Sequence, residues 1–560
     1  MLHPLRMAAM SHASPTREAP RANPVLICFA AAATMLLVVA AWLTRGSLNA
    51  FEYNQFVPAV MVLLTDALPV IGWFVAAWGF GSLISRAMDA GTPAKENARM
   101  SLGLGIAAML WLDHALGAAG LLQAGGGVGA WALLAVGWAL ALLALRRCLA
   151  SQRESNARGD WSIAMLLATV PALALLLVAA TSAPGWLWRS EAHGYDVLEY
   201  HLQLPREWLA LGSLTPLKHN VYSYAPSYVE AAYYHLAILL DPLATRPADG
   251  AIQAATACQL LHAALMIWAA SEIVLLVLRG VSRWIGLAAG AIAVSVPWVI
   301  VTGSMAYNEA VLIGMLALCW RLIDMRQTSM RSLALLGFLA GVACGAKLTA
   351  LGGIALPIAV LLLMTTPPAQ WPRSSLAGAV GGAIALGPYL IRNFAALDGA
   401  NPFFPLFMNA LGHAHWTAEQ AQRWNEAHAA DEPWLDRFAA LWTMGFAQAQ
   451  WAGLWIMALL AAPLAWMSRP HRPLAFEALI ILALQLGFWL AMTHLQSRFL
   501  LPCLPSLIVL IALAIQSMAA RAQRAAIAVA IAIPILMGCW SVHLYQRERG
   551  GHPATYIDGV

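Results

Sequence analysis

Apolar runs of membrane-crossing length, recurring almost from end to end, are what most narrows the folds open to this 560-residue chain. A helix needs about 17–25 predominantly apolar residues to cross the hydrocarbon core, where no water can satisfy a bare backbone. Runs of that kind fall at 25–44, 57–85, 99–122, 128–145 and 162–183, then at 256–278, 284–301, 309–323, 332–347, 348–364 and 376–391. The last four lie at 451–467, 475–492, 499–517 and 525–541. They predict an all-α polytopic membrane protein with about fifteen transmembrane helices. Pro69 predicts a kink in 57–85. The short runs 332–347 and 348–364 meet at Lys347, which predicts a turn or re-entrant point there. With 61 % hydrophobic and 11 % charged residues, the composition excludes a water-soluble globular protein.

Lys and Arg set the orientation of such a chain. With the N-terminus cytoplasmic, the inside segments are 1–24, 86–98 with the boundary residue Arg99, 146–161, 279–283, 321–331, 365–375, 468–474 and 518–524. They hold twenty of the 32 Lys and Arg but six of the 27 acids: Glu18, Asp89, Glu96, Glu154, Asp160 and Asp324. The long polar loops 184–255 and 394–450 then face outward, to the periplasm if the membrane is a bacterial inner membrane, as does the tail 542–560. The expected division is a cytoplasmic tail 1–24, a first transmembrane block 25–160, a core 161–541 and the outward tail. The first run is too long for a signal-peptide core and reads as a retained span. The seven cysteines lie in or beside apolar runs with no zinc spacing and no disulfide framework. A net charge of +5 is no nucleic-acid footprint, so no nucleic-acid partner is expected.

The stretch from Ser190 to Leu240 is polar enough to lie outside lipid, and it carries Asp196, Glu199, Glu207 and Glu230 with His193 and His201. Read as a helix, it sets Asp196, Glu199, Tyr200 and Gln203 on one face. Leu198, Leu202, Trp208 and Leu209 supply the apolar contacts of an interfacial helix. A carboxylate face at a membrane surface suits chemistry; a structured loop with merely solvated acids is the alternative. Charges in or at the ends of spans mark functional sites by default. Glu309 opens a helix, where an acid also complements the helix dipole. Lys347 is the one charge between Arg331 and Arg373; it reads as a snorkelling lysine or a phosphate ligand. Arg392 and Arg498 sit at outward ends, away from the positive-inside surface, where a phosphate is a natural bidentate partner. Asp66, Asp113 and His114 read as polar packing in the first block. His413 and His415 have metal-like spacing but no third ligand fixed by sequence, so no metal site is expected. Walker A, GxSxG and HExxH motifs are absent.

Taken in order, YDVLEYHLQLPREWLALGSLTPL, VPWVIVTGSMAYNEA, GFLAGVACGAKLTAL, PYLIRNFAALDGANPFFPL and SRFLLPCLP resemble the polytopic GT-C glycosyltransferases. The bacterial branch related to the aminoarabinose transferases and protein O-mannosyltransferases is the nearest likeness. The resemblance covers about residues 160–520 and leaves the first block outside it. It departs from the family where Val197 follows Asp196, since the family's first acid is commonly followed directly by another; Glu199 is the next acid here. The resemblance implies transfer of a sugar from a polyprenyl-phosphate carrier to a lipid, protein or glycan acceptor on the outer face, among membrane lipids and without a cofactor, a divalent metal being left open. It implies Asp196 as general base for the acceptor hydroxyl, Glu309 as the second acid and Lys347 as the carrier-phosphate contact. Charge placement adds Arg392 and Arg498 as anion stabilisers, with Glu199, Tyr200 and His201 as further substrate contacts. Rival readings are a transporter or flippase of lipid-linked sugars, which would favour inverted repeats and midplane-broken helices, neither of them visible in the sequence, a polymerase or ligase on the same carriers, and a non-catalytic binder.

Overall fold

The computed structural model describes residues 24–48, 51–88, 94–151, 161–184, 187–241, 249–324, 329–429 and 432–548. Most of the expected cytoplasmic tail, the chain beyond 548 and inside residues such as Arg153 and Arg326 lie outside them. In the first block α1 (Pro24–Leu43) leads through a small antiparallel hairpin, β1 (Arg45–Leu48) with β2 (Phe51–Asn54), to α2 (Phe56–Arg86), α3 (Ala94–Ala118) and α4 (Ala124–Ser151). The hairpin departs from the purely helical expectation. The helix α2 runs unbroken through Pro69.

A tight helical lead-in (Trp161–Thr169) continues as α5 (Val170–Ala180), and the polar stretch carries α6 (Gln203–Leu211) and α7 (Tyr228–Leu240). Then come α8 (Asp249–Val277), α9 (Arg283–Ser295), α10 (Pro297–Gly303), α11 (Glu309–Asp324), α12 (Met330–Ala346), α13 (Leu356–Thr365) and α14 (Trp371–Ala396). The second polar stretch carries α15 (Met408–Leu411), α16 (Ala418–Ala427) and α17 (Trp434–Leu441), before α18 (Leu454–Met467), α19 (Arg472–Met492), α20 (Leu504–Ala519) and α21 (Gln523–Glu548). The last helix passes the expected end at residue 541.

Every one of the expected apolar runs falls on helix, but they are not all of spanning length. Among the described residues ten helices are long and apolar enough to cross a membrane, or eleven if the pair α9–α10, bent by 61°, is one span. The remaining runs, on α11, α12, α13 and α18, are shorter. The turns at Asn308 and Lys347, which serve the site described below, cut short α11, α12 and α13. Burial matches the shortening, since α11 is enclosed along its length and needs no lipid-matched extent.

Helix contacts rely on small residues, as expected where lipid tails are as apolar as leucine and close van der Waals approach drives association. A Cβ on Gly105 would stand 1.6 Å from the Ala77 carbonyl, and one on Gly337 would stand 2.0 Å from the Gly378 carbonyl. These two contacts bind α3 to α2 and α12 to α14. Polar ties also join the first block to the polar stretch. Asp113 accepts from the Trp73 indole at 2.8 Å and pairs with His235 Nδ1 at 2.7 Å, both side chains fully buried. The Tyr234 hydroxyl donates to Gln123, whose amide reaches the Leu209 carbonyl.

Candidate active site

The polar stretch folds onto the ends of α11, α12 and α20 through an unusual turn. Residues Val197–His201 form a π-turn, with the Leu202 N–H donating to the Val197 carbonyl at 2.9 Å. Five-residue bonding moves the shared face from i, i+3 to i, i+4 and i, i+5. Asp196, Tyr200 and His201 therefore turn towards the helices, while Glu199 is exposed and makes no side-chain hydrogen bond there. The expectation that Glu199 shares the Asp196 face is corrected by that turn.

Arg498 is the hub. It lies at the start of the segment Ser497–Cys503 that leads into α20 and is buried. One guanidinium nitrogen pairs with Glu191 and donates to the Tyr307 hydroxyl at 2.7 Å; the other pairs with Asp196. Its Nε faces Glu309 Oε1 at 3.9 Å. The Tyr307 hydroxyl donates to Glu191 at 3.0 Å, and the Tyr307 ring lies beneath the guanidinium, 4.8 Å from ring centre to carbon. Lys347 caps α12 in extended conformation and reaches Glu309 at 2.6 Å. Its ammonium also sits 4.7 Å from the centre of the Phe499 ring. Thus Asp196, Glu309, Lys347 and Arg498, from four separate segments, belong to one connected set of contacts.

Three carboxylates facing two cations leave a surplus of negative charge. Burial pushes the Glu191 carboxyl above its ordinary value; Arg498 opposes that shift, and Glu309 adds to it. Behind this layer the buried His201 Nδ1 pairs with Glu230 Oε1 at 2.6 Å, and Asn308 bonds the Ala346 carbonyl. His201 is fully buried, so it supports the site from behind instead of lining its surface. Buried polar atoms without a hydrogen-bond partner gather here: Arg498 Nε, His201 Nε2, Glu230 Oε2 and Asn308 Oδ1. Each such atom in a folded protein calls for an explanation. Left-handed backbone at Trp188, Ala192, His193 and Leu495 flanks the cluster, a strain the surroundings must hold.

Arg392 is not part of the cluster. Its guanidinium donates to the Ser223 and Ala225 carbonyls, the Ser227 hydroxyl and Asn393, with Asn393 in turn bonding the Tyr224 and Pro402 carbonyls. The expected anion stabiliser is thus a clamp on the loop before α7, because neutral carbonyl and side-chain oxygens around that loop take up its N–H donors. His413 and His415 bond the Trp416 and Lys218 carbonyls. Among the described residues no group of three or more His, Cys, Asp or Glu could hold a metal ion.

Sequence reading missed Glu191 and Tyr307. Both had a signal: Glu191 opens the polar stretch, and Tyr307 stands two residues before Glu309. A largely apolar groove of about 400 Å³ lies between the segment Phe446–Ala449, Ala452, Gly453, Met457 and the α21 residues Ile533, Leu536, Met537 and Trp540. Glu548, at the end of α21, bonds both Gln450, next to the groove-lining Ala449 in sequence, and Ser190, the residue beside Glu191. No protein-family model, no curated protein and no solved structure matches the chain.

Proposed function

We propose that the chain is an integral membrane glycosyltransferase of the GT-C kind, moving a sugar from a polyprenyl-phosphate donor to an acceptor hydroxyl. The convergence of Asp196, Glu309, Lys347 and Arg498 in one connected set of contacts carries this reading. In the proposed reaction the acceptor oxygen attacks the anomeric carbon while Asp196 takes its proton. The bond from that carbon to the phosphate oxygen breaks, and polyprenyl phosphate leaves with the extra negative charge. Lys347 and Arg498 stabilise that charge; they are cations fixed before the reaction in a site largely sheltered from water. A single displacement without a covalent intermediate inverts the anomeric centre. Tyr200 lines the approach, and the apolar groove beside α21 suits the carrier's hydrocarbon chain.

Counting the shorter helices as spans gives about fifteen crossings. On that count and the distribution of Lys and Arg, the N-terminus is cytoplasmic and the cluster faces the periplasm of a bacterial inner membrane. One observation favours a transporter of lipid-linked sugars as the second reading: the 61° break between α9 and α10, a feature of discontinuous transport helices. Mass spectrometry of envelope lipids and glycans, from cells with the gene, without it, and with D196N, separates the two. A transferase loses one glycosylated product and D196N does not restore it; restoration by D196N defeats the transferase mechanism.

A further inference from the structure

Around the charged cluster runs a rim of rings drawn from three loops. Tyr200 stacks on Tyr222 at 4.4 Å between ring centres, and Tyr222 meets Trp424 at 5.8 Å. Trp424 stacks on His428 at 3.8 Å; His428 meets His494 at 6.1 Å and His494 meets Phe499 at 5.0 Å. Phe499 adjoins both Lys347 and Arg498, and Arg498 returns to Asp196 on the turn that bears Tyr200. The circuit closes on itself.

Its outer members are open to solvent. Tyr222 is 38 % exposed and Tyr195, beside Asp196, is 60 % exposed, with His428 and His494 also on the surface. The far wall is built for its position. Thr417 and Gln420 form a capping box that fixes the start of α16. Ala421, Trp424 and His428 then share one face by helical spacing. That face rests on a small separate core of Tyr224, Phe404, Met408 and Ala421, with Trp416 and Trp424 packed against it. This satellite core holds the Trp424 ring edge-to-face with Tyr222.

We propose that this rim is a carbohydrate-binding subsite that holds the acceptor, so that the attacking hydroxyl belongs to a glycan. The inference rests on the transferase reading above and names its acceptor class. A pyranose has apolar C–H faces and hydroxyl edges, and it is matched by aromatic faces interleaved with imidazoles and carboxylates. A hydrocarbon chain would leave the tyrosine hydroxyls and imidazoles of the rim without partners in an apolar contact. A sugar resting on Tyr222 and Trp424 would present its hydroxyls towards Asp196.

The test uses the purified full chain in lipid nanodiscs with three neutral hexasaccharides, of glucose, of N-acetylglucosamine and of mannose. Saturation-transfer NMR is expected to show contact through the ring C–H protons of at least one of them. That contact persists in D196N, falls about tenfold in W424A, a loss of one aromatic stacking contact, and returns in W424F. Hydroxyl-radical footprinting of the unaltered protein is expected to show the same sugar protecting the Tyr222 and Trp424 peptides, a result independent of how any variant folds. No saturation above empty nanodiscs from all three sugars, or protection located elsewhere, overturns the subsite. Sugar binding at the rim with full transfer by D196N would defeat the mechanism and leave the subsite standing; transfer that needs Asp196 without sugar binding would do the reverse.

Discussion

The Lys347 ammonium donates a 2.6 Å hydrogen bond to Glu309, joining the end of one helix to the start of another around a carboxylate that is 1 % exposed. The two side chains stand 38 residues apart in sequence. Removing one member of such a buried pair strands the other's charge. K347M is therefore expected to lower stability by up to about 3–5 kcal/mol, because the buried carboxylate keeps only its 3.9 Å contact with Arg498. Adding E309Q should recover most of that loss while transfer stays absent. Thermal unfolding in detergent, run alongside a transfer assay, checks both.

D196N keeps the shape of the side chain and removes its basicity. The expected outcome is a fall in kcat of about 10²–10⁴-fold, the usual worth of a positioned general base. Carrier-lipid binding, measured by native mass spectrometry, should be retained, since Arg498 and Lys347 remain.

Glu191 gives a pH signature. Its folded carboxyl titrates above the ordinary value, chiefly through burial and against the pull of Arg498. A group raised on folding contributes stability that is fully present below its unfolded value and is lost as pH rises through the folded one. The unfolding temperature of the unaltered protein, less that of E191Q, should thus fall as pH rises from mildly acidic to neutral. A difference that grows over that window would contradict the assignment.

The groove beside α21 makes a prediction about chain length. M457W fills part of a space of about 400 Å³. It should raise KM for a long polyprenyl donor by about tenfold, the cost of one lost buried contact region, and leave a three-isoprene donor unaffected. Equal effects on both donors would place the hydrocarbon elsewhere.

Close helix approach makes another. A side chain larger than hydrogen at Gly105 collides with the Ala77 backbone, and backbone cannot yield as a flexible side chain can. G105V should cost at least about 1–3 kcal/mol, the usual penalty of overpacking. Gly378 tolerates a methyl group, with nothing within 4 Å of its Cβ position, so G378A serves as the matched control.

Much of this arrangement was legible in the residues. Every apolar run became helix because hydrocarbon leaves a backbone few alternatives, and Lys347 sat where two short runs met. Asp196 and Glu309 stood out as acids among apolar neighbours. What could not be read is selection among distant partners. Arg498 pairs with Glu191 across 307 positions and with Asp196 across 302, and no local pattern encodes either choice. Arg392 looked equivalent to Arg498, yet carbonyls of a loop far upstream claimed it. The π-turn at Val197–His201 has no propensity signature, so the helical assumption kept Glu199 on the wrong face.

The Asp113–His235 bond has a bearing on how the molecule can be divided. A fragment beginning near residue 160 would lack Asp113 and Trp73, leaving the His235 imidazole without its carboxylate and uncovering the face of α7, whose first turn carries Glu230 behind the cluster. The leading helices therefore brace the helix that stands behind the charged cluster, and trimming them away is expected to leave its acids out of register.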